Sequence, residues 1–348
     1  MTDRKMATIR RIDSILPIKG ADAIEVAKVG GWKVVVKKGE FNAGDLAVYF
    51  ELDSWIPTAI APFLTKVGHF PSVFGGVEGE RLRTVKLRGQ LSQGLLLPFT
   101  AVMAIMIGAG PGARFDDYTD MDVSDLLGIA KYEAPINAQL AGMAAGAFPS
   151  WGRKTDAERI QNLPAAFEEF KKLDFEVTVK LDGSSMSAGI SVDDVYVVCS
   201  RNLSLKTDQV GNSFVDMAAK CDLERKLRSL NRPLLISGEL MGPGIQQNQE
   251  KLTTPQFFVF NIWDPIAYAY IPAAERIAIC TALGIQHAPV LHTTVTLSAL
   301  NISTIDDMLK YADGPSLTNV PREGLVFKST DGTVMFKAIS NKWLLKNE

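Results

Sequence analysis

The stretch Phe175-Glu-Val-Thr-Val-Lys-Leu-Asp-Gly-Ser-Ser185 is the most informative part of this 348-residue chain. Apolar side chains at positions 175, 177 and 179 alternate with polar ones at 176, 178 and 180, which predicts a β-strand with one apolar face. The strand would deliver Lys180 to its polar face, just before a tight turn at Asp182 and Gly183. We therefore expect Lys180 to line a cleft as a candidate nucleophile.

Further polar residues follow Lys180, each inside a strand-like apolar run. A single Lys-x-Asp-Gly tetrapeptide carries little weight, because it arises by chance in long proteins. The five runs that follow it are Ser200-Arg-Asn202, Ser237-Gly-Glu-Leu-Met-Gly-Pro-Gly-Ile-Gln246, Phe257-Phe-Val-Phe-Asn-Ile262, Glu323-Gly-Leu-Val-Phe-Lys328 and Val334-Met-Phe-Lys-Ala-Ile339. Their joint order is a much stronger signal than any one of them.

This ordered set resembles the covalent nucleotidyltransferase superfamily of ligases and RNA capping enzymes, and within it an ATP-dependent RNA ligase. The resemblance implies that Lys180 is the adenylylated lysine and that Arg201 contacts the nucleotide and the 5′-phosphate. It also implies that Phe260 stacks on adenine and that Lys337 contacts the α-phosphate. The implied contacts to ribose or to the water shell of Mg²⁺ or Mn²⁺ come from Asp182, Glu239 and Glu323, and Gly183 belongs to the same nucleotide-binding set.

Each residue also has a structural alternative. Glu239, at the end of a buried strand, suits a salt bridge, and Arg201 suits an exposed turn. Phe260 sits among hydrophobic neighbours, as core residues do, and Lys337 could extend its ammonium to solvent along an apolar strand. Only the shared order of the motifs favours the functional interpretation.

Chemistry sets a requirement on Lys180. A lysine with a reference pKa of about 10.4 must lose its proton before it attacks phosphorus, which costs about 4.6 kcal/mol at pH 7. We expect Arg201, Lys337 and a divalent cation to supply the positive charge that disfavours the ammonium form.

Two features bear on the type of ligase. Many relatives carry a second lysine two residues from the last motif lysine, whereas Met335 and Ile339 flank Lys337 at that spacing. Either the second cation is dispensable, or Lys342 or Lys328 replaces it. Only 11 residues follow Lys337, so the C-terminal OB domain of DNA ligases and capping enzymes is not expected. The extra length lies before Lys180, as in the fifth RNA ligase family, of the Deinococcus and Naegleria type.

The N-terminal part predicts short strands and turns. Trp32-Lys-Val-Val-Val36, Leu46-Ala-Val-Tyr-Phe50 and the region from Arg81 to Leu97 suggest strands of a small β-barrel, with a long loop from Gly68 to Gly79. Trp32, Tyr49 and Trp55 could stack on bases, or they could be core residues; we weigh these alternatives evenly.

The predicted fold class is α+β: residues 1–130 form an OB-like nucleic-acid-binding barrel, 131–153 a linker, and 154–348 an adenylyltransferase domain of antiparallel sheets with flanking helices. Thr155-Asp-Ala-Glu158 resembles a capping box and predicts a helix to about Leu163. Helical spacing also predicts helices over Asp222–Leu230 and Ala273–Leu283.

Composition narrows the possibilities further. The net charge of −2 and pI of about 6.0 exclude a uniformly basic nucleic-acid coat. Three cysteines and three histidines lack metal-ligand spacing, which argues against a zinc site and suggests free thiols in a reducing compartment. The N-terminus has no signal-peptide core, and the apolar run Ala101–Gly108 is too short to span a bilayer. We expect a monomer in the cytoplasm, or in that of a host cell if the chain is viral.

The predicted activity is ATP-dependent sealing of 3′-hydroxyl/5′-phosphate nicks in RNA or an RNA/DNA hybrid duplex, through lysyl-AMP and an adenylylated strand. Two alternatives stay open at this point. One is a GTP-dependent RNA guanylyltransferase, and the other is a non-catalytic nucleic-acid-binding protein with a decayed transferase fold.

Overall fold

The structure, a computed structural model, describes residues 4–100, 102, 118–133, 142–209 and 211–347. The chain divides into two compact units. Unit 1 comprises Met1–Pro135, Gln161–Pro164 and Leu344–Glu348, and unit 2 comprises Ile136–Ile160 and Ala165–Trp343.

Unit 1 is built from short antiparallel strands, as expected for the N-terminal part. They are β1 (Ala7–Arg11), β2 (Ser14–Pro17), β3 (Ile24–Val29), β4 (Trp32–Lys37), β5 (Leu46–Phe50), β6 (Ser54–Pro57), β7 (Ser72–Phe74), β8 (Val77–Arg81), β9 (Val85–Leu87), β10 (Gln90–Ser92), β11 (Leu95–Pro98) and β12 (Ala130–Lys131). The described strands form the sheets β1-β5-β11, β2-β3-β4, β12-β6-β8-β7 and β10-β9.

Strand β5 is central to the packing of unit 1, because both of its faces are buried. Val48 and Phe50 belong to one hydrophobic cluster, whereas Ala47 and Tyr49 belong to a second. The two-residue period of a strand sends alternate side chains to opposite sides, so one strand supports two cores.

The three candidate stacking aromatics of unit 1 are core residues, so the stacking interpretation is wrong for them. Trp32, Tyr49 and Trp55 are only 2%, 3% and 3% exposed. Their polar atoms are also engaged within the unit: the Trp32 indole donates to Asn162 Oδ1 at 2.6 Å, and the Trp55 indole donates to a backbone carbonyl. Rings held in this way have no face available for a base.

Two local predictions also fail. The expected loop from Gly68 to Gly79 contains the hairpin β7–β8, whose turn is made by Gly75 and Gly76 with φ of +58° and +80°. Paired left-handed residues suit a two-residue hairpin turn. The expected helix from Thr155 is a short strand followed by the 3₁₀ turn Ile160–Asn162. Pro164 restricts the residue before it to extended backbone, which opposes a helix there.

Unit 2 contains the remaining strands. They are β13 (Ala144–Ala147), β14 (Glu158–Arg159), β15 (Asp174–Lys180), β16 (Ser184–Ile190), β17 (Tyr196–Cys199), β18 (Leu203–Leu205), β19 (Leu234–Met241), β20 (Gln256–Asp264), β21 (Ala269–Tyr270), β22 (Val290–Thr296), β23 (Gly324–Ser329) and β24 (Met335–Ile339). They form a seven-stranded sheet, β13-β18-β17-β16-β19-β20-β21, and a five-stranded sheet, β14-β24-β23-β15-β22.

The helices are few and short among the described residues. They are α1 (Phe167–Phe170), α2 (Ser213–Lys220), α3 (Leu223–Arg228), α4 (Ala273–Leu283), α5 (Ile305–Tyr311) and α6 (Asn341–Asn347). The predicted helix over Ala273–Leu283 is confirmed with its bounds, because Pro272 precedes it and Gly284 ends it with φ of +60°. The helix predicted over Asp222–Leu230 is confirmed as α3.

The alternation predicted for residues 175–180 is confirmed in β15. Phe175 packs against Phe327 and Phe336 on one face of the five-stranded sheet, with ring centroids 6.0 and 5.5 Å away. The opposite face carries Glu176 and Lys180, which lie opposite Lys328 and Gly324 of β23. The chain then leaves this sheet and enters β16 of the seven-stranded sheet. Lys180 therefore lies where the chain passes between the two sheets.

No helix in the described ranges is both long enough and apolar enough to cross a membrane. The apolar run Ala101–Gly108 lies outside the described residues, apart from Val102.

Candidate active site

The candidate nucleophile Lys180 is held by an ion pair. Its Nζ donates to Glu323 Oε2 at 2.6 Å, and the two side chains are 27% and 13% exposed. Strand pairing places Gly324 directly opposite Lys180, and a Cβ on Gly324 would come within 2.2 Å of the Ala338 carbonyl oxygen. Glycine at this position therefore lets β23 and β24 approach closely beside the lysine.

Gly183 has a comparable steric role in the turn that follows Lys180. A Cβ there would lie 2.4 Å from the Leu240 carbonyl oxygen and 3.1 Å from Glu239 Cγ. Since real Cβ atoms do not come this close to a carbonyl, only glycine lets the turn lie against β19. This close approach of the Asp182–Gly183 turn to β19 also sets the distance between Lys180 and the carboxylate of Glu239.

Three carboxyl groups, Asp182, Glu239 and Glu323, surround the lysine, and we call them the acidic cluster. Burial, together with the charge of Glu323, raises the pKa of Asp182 to about 6. Burial also raises the pKa of Glu239 to about 8, and Glu323 and Asp182 add to this shift. The charge of Glu323 contributes to both shifts, because like charges resist joint ionisation.

The pKa of Lys180 is raised, whereas a nucleophilic amine requires a lowered pKa. Burial lowers its pKa, but the nearby carboxylates, Glu323 first, outweigh burial and raise it above its ordinary value. The expectation that cationic side chains would favour the neutral amine is thus wrong for the nucleotide-free protein. Arg201 and Lys337 instead pair with Asp156, whose Oδ2 and Oδ1 accept from them at 2.7 and 3.0 Å.

Phe260 differs from its aromatic neighbours on β20. Phe257 and Phe258 are buried, whereas Phe260 is partly exposed. Its carbonyl oxygen accepts from Lys328 Nζ at 2.6 Å. A partly exposed aromatic residue on an otherwise buried strand suits contact with a planar ligand.

Lys328 and Lys342, the two candidates to replace the second lysine of the last motif, have different surroundings. Lys342 is an exposed residue whose Nζ lies 3.0 Å from Asp313. The Lys328 side chain is 13% exposed, and burial followed by the charge of Arg276 lowers its pKa to about 7. Lys328 lies on the same face of the five-stranded sheet as Lys337, because Lys328 pairs with Met335 and Lys337 pairs with Val326, two residues away along each strand.

A buried ion pair holds β15, the strand that carries Lys180, to α4. Arg276 on α4 contacts Glu176 of β15, and both side chains are 3% exposed. Arg276 Nε also donates to His287 Nε2 at 2.9 Å. Burial is the main cause that lowers the pKa of His287 to about 4, so the ring is neutral at neutral pH and accepts this hydrogen bond.

Sequence reasoning missed Asp156, Arg159, Arg276 and Glu176 as site residues. Arg159 lies opposite Lys337 in the parallel pairing of β14 with β24 and is 5% exposed. Asp156 and Arg159 lie in the segment Lys154–Ile160, where the capping-box spacing of Thr155–Glu158 predicts a helix. The pairing of β14 with β24 instead brings the charged residues of this segment beside Lys337.

The acidic cluster has the chemistry of a site for a hard cation. Neighbouring carboxylates repel one another, and a bound divalent cation offsets this repulsion. Oxygen ligands suit Mg²⁺ or Mn²⁺. In the described part of the chain, however, no three His, Cys, Asp or Glu side chains are arranged to hold a bare metal ion.

Comparison with known proteins agrees with this geometry. An OB-fold domain model matches residues 6–99, and an RNA ligase model matches residues 173–343. These matches confirm the predicted order of an OB fold followed by a ligase domain. A comparison with curated protein sequences found no match.

Solved structures of Naegleria gruberi RNA ligase are similar along the whole chain. A mutant with AMP and Mn is 42% identical, with a TM-score of 0.88 and 99% of both chains covered. A mutant with ATP and Mn is also 42% identical, with a TM-score of 0.88 and 98% and 99% covered. The ligase with PPi is 43% identical, with a TM-score of 0.87 and 99% and 98% covered. These matches give no support to a capping enzyme or a decayed binding protein, and the chain belongs to the RNA ligase family.

Proposed function

We propose that this RNA ligase uses ATP to seal a 3′-hydroxyl to a 5′-phosphate at a nick in RNA or in an RNA/DNA hybrid duplex. The observation that carries the proposal is the position of Lys180. Its amine lies at the junction of two sheets, inside three carboxyl groups, in a chain 42% identical to a ligase solved with ATP and with AMP.

In the proposed first step, the neutral Lys180 Nζ forms a bond to the α-phosphorus of ATP, and the bond to pyrophosphate breaks. In the second step, AMP passes from the lysine to the 5′-phosphate of the RNA. In the third step, the 3′-hydroxyl oxygen attacks that phosphate and AMP leaves. Each step is a phosphoryl-type transfer, for which positioning and charge neutralisation supply most of the catalysis.

The side chains around Lys180 divide into two groups in this proposal. Arg201 and Lys337 would bind the nucleotide phosphates, and Phe260 would stack on adenine from β20. Gly183 would keep the turn close enough to β19 for the nucleotide to enter. Support for this division comes from the cationic pair, 2.7 and 3.0 Å from Asp156, and from the partial exposure of Phe260.

The acidic cluster is the proposed site of Mg²⁺ or Mn²⁺, held through water. When bound, the cation would neutralise negative charge on the α-phosphate. The acidic cluster also controls whether Lys180 is protonated. Glu323 holds Lys180 as an ammonium until its carboxylate is engaged elsewhere, and the amine then loses the partner that raises its pKa.

We further propose that residues 1–130 bind the nucleic acid, that 131–153 link the domains and that 154–348 catalyse adenylylation. The basic residues of unit 1 that support the first assignment include Lys86 on β9, a strand whose residues are all exposed. A monomer and a cytoplasmic location also stay proposals, the latter supported by the free thiols of Cys199, Cys221 and Cys280.

The test is a sealing assay on an RNA duplex that contains one nick with a labelled 5′-phosphate. With ATP and Mn²⁺, we expect a joined strand, and we expect none with Lys180→Ala or when GTP replaces ATP. Joining supported equally by GTP would contradict the assignment. So would joining by Lys180→Ala at the rate of the unsubstituted protein.

A further inference from the structure

One carboxylate in unit 2, that of Asp156, contacts two cationic side chains from different sheets. Asp156 Oδ2 accepts from Arg201 Nη2 at 2.7 Å, and Oδ1 accepts from Lys337 Nζ at 3.0 Å. Arg201 follows β17 of the seven-stranded sheet, whereas Lys337 belongs to β24 of the five-stranded sheet. Strand pairing does not fix the distance between these two cations, because they belong to different sheets. The Asp156 side chain links them through its two carboxylate oxygens.

The backbone anchors Asp156 beside the last motif. Two residues after it, β14 pairs in parallel with β24, with Glu158 opposite Phe336 and Arg159 opposite Lys337. The carboxylate is therefore attached to the five-stranded sheet and reaches Arg201 in the other sheet. This is the geometry of a connection across the candidate nucleotide site.

The two cations need such a partner for different reasons. The Arg201 side chain is 52% exposed, so its long side chain would otherwise sample many rotamers. The Lys337 side chain is only 12% exposed, and a charge removed from water requires a counter-charge. One carboxylate, itself 37% exposed, meets both requirements.

We propose that Asp156 is a positioning residue for nucleotide transfer: it holds Arg201 and Lys337 at the separation needed to contact the phosphates of ATP. This inference rests on the proposed function. Asp156 does not touch the reacting atoms and acts through the two cations. The competing role is that of an anion that occupies the phosphate position and obstructs ATP.

The test is a double-mutant cycle on the first step, measured as transfer of α-labelled AMP to the protein at saturating ATP and Mn²⁺. We expect Asp156→Ala to slow this transfer by ~10- to 100-fold, the scale of a misplaced binding group. Arg201→Ala should slow it as well. Because Asp156 acts partly through Arg201, the double substitution should be much less severe than the product of the two single effects.

Two further variants keep the test decisive. Asp156→Asn retains an oxygen acceptor and should give a rate between those of Asp156→Ala and the unsubstituted protein. Asp193→Asn, an exposed acid in the turn after β16, should leave the rate unchanged. Thermal melting checks that each variant folds, and if Asp156→Ala does not, Asp156→Asn replaces it in the cycle.

The inference is overturned if Asp156→Ala transfers AMP as fast as the unsubstituted protein or faster, since faster transfer means that the carboxylate obstructs ATP. It is also overturned if the effects in the cycle multiply, because Asp156 then acts independently of Arg201. Both results leave the proposed function intact. That function fails if the unsubstituted protein accepts no label from ATP, and the inference then fails with it.

Discussion

The ion pair between Lys180 and Glu323 should suppress the reactivity of the amine in the nucleotide-free protein. The perturbation that tests this is Glu323→Gln, which keeps the shape of the side chain and removes its charge. Two unit charges 2.6 Å apart attract by about 6 kcal/mol at an effective dielectric constant of about 20. The lysine is partly exposed, and Glu239 and Asp182 remain beside it, so we expect about half of this attraction to be lost.

A loss of about 3 kcal/mol lowers the pKa of Lys180, and at about 1.4 kcal/mol per tenfold change the fraction of neutral amine at pH 8 rises about 100-fold. A less basic amine is also a weaker nucleophile, by analogy with thiols, which reduces the expected gain in rate to ~10-fold. The assay is brief acetylation at pH 8, followed by mass spectrometry of the peptide that contains Lys180. The same carboxylate is a proposed cation ligand, so this gain should not appear as faster transfer from ATP.

The matched control is Glu224→Gln, which removes a carboxylate that pairs with Arg228 on the surface, 3.0 Å away. It should leave the acetylation of Lys180 unchanged. If Glu323→Gln acetylates Lys180 no faster than the unsubstituted protein does, the ion pair does not control the amine and the reasoning is refuted.

Three further results are expected. Arg276→Met leaves Glu176 as a buried charge without its arginine partner and should lower the free energy of unfolding by about 3–5 kcal/mol in urea titrations; a loss below about 1 kcal/mol would contradict a buried pair. Gly183→Ala should abolish AMP transfer while the protein stays folded, because its Cβ meets the Leu240 carbonyl oxygen at 2.4 Å; normal transfer would show that the turn has room. The raised pKa values of Asp182 and Glu239, about 6 and about 8, mean that protons compete with the cation for these groups. The Mn²⁺ concentration for half-maximal AMP transfer should therefore fall as the pH rises from 6 to 8. A concentration that stays constant would argue against these residues as ligands.

Much of the framework around the site could be predicted, because its signals are local. The alternation in residues 175–180 specified β15 and the face that carries Lys180, and helical spacing specified α4. Phe260 could not be separated from its neighbours on sequence, since exposure on β20 depends on what packs beside it. The structure makes that distinction.

Several errors in unit 2 have a common cause, which is that long-range packing overrides a local pattern. Thr155–Glu158 has the spacing of a capping box, yet its backbone pairs with β24, far along the chain. The contacts of Asp156 span 45 and 181 residues, so no local signal could reveal them. The charge environment of Lys180 was mispredicted for the same reason, since the spacing of motifs says nothing about which charges meet.

The central claim is that Lys180 becomes covalently linked to AMP. The measurement that tests it most directly is mass spectrometry of the protein after incubation with ATP and Mn²⁺, beside Lys180→Ala. We predict one added AMP, located on the peptide that carries Lys180 and missing from the variant. AMP attached to a different residue, or no addition under conditions in which the protein joins RNA, would contradict the account.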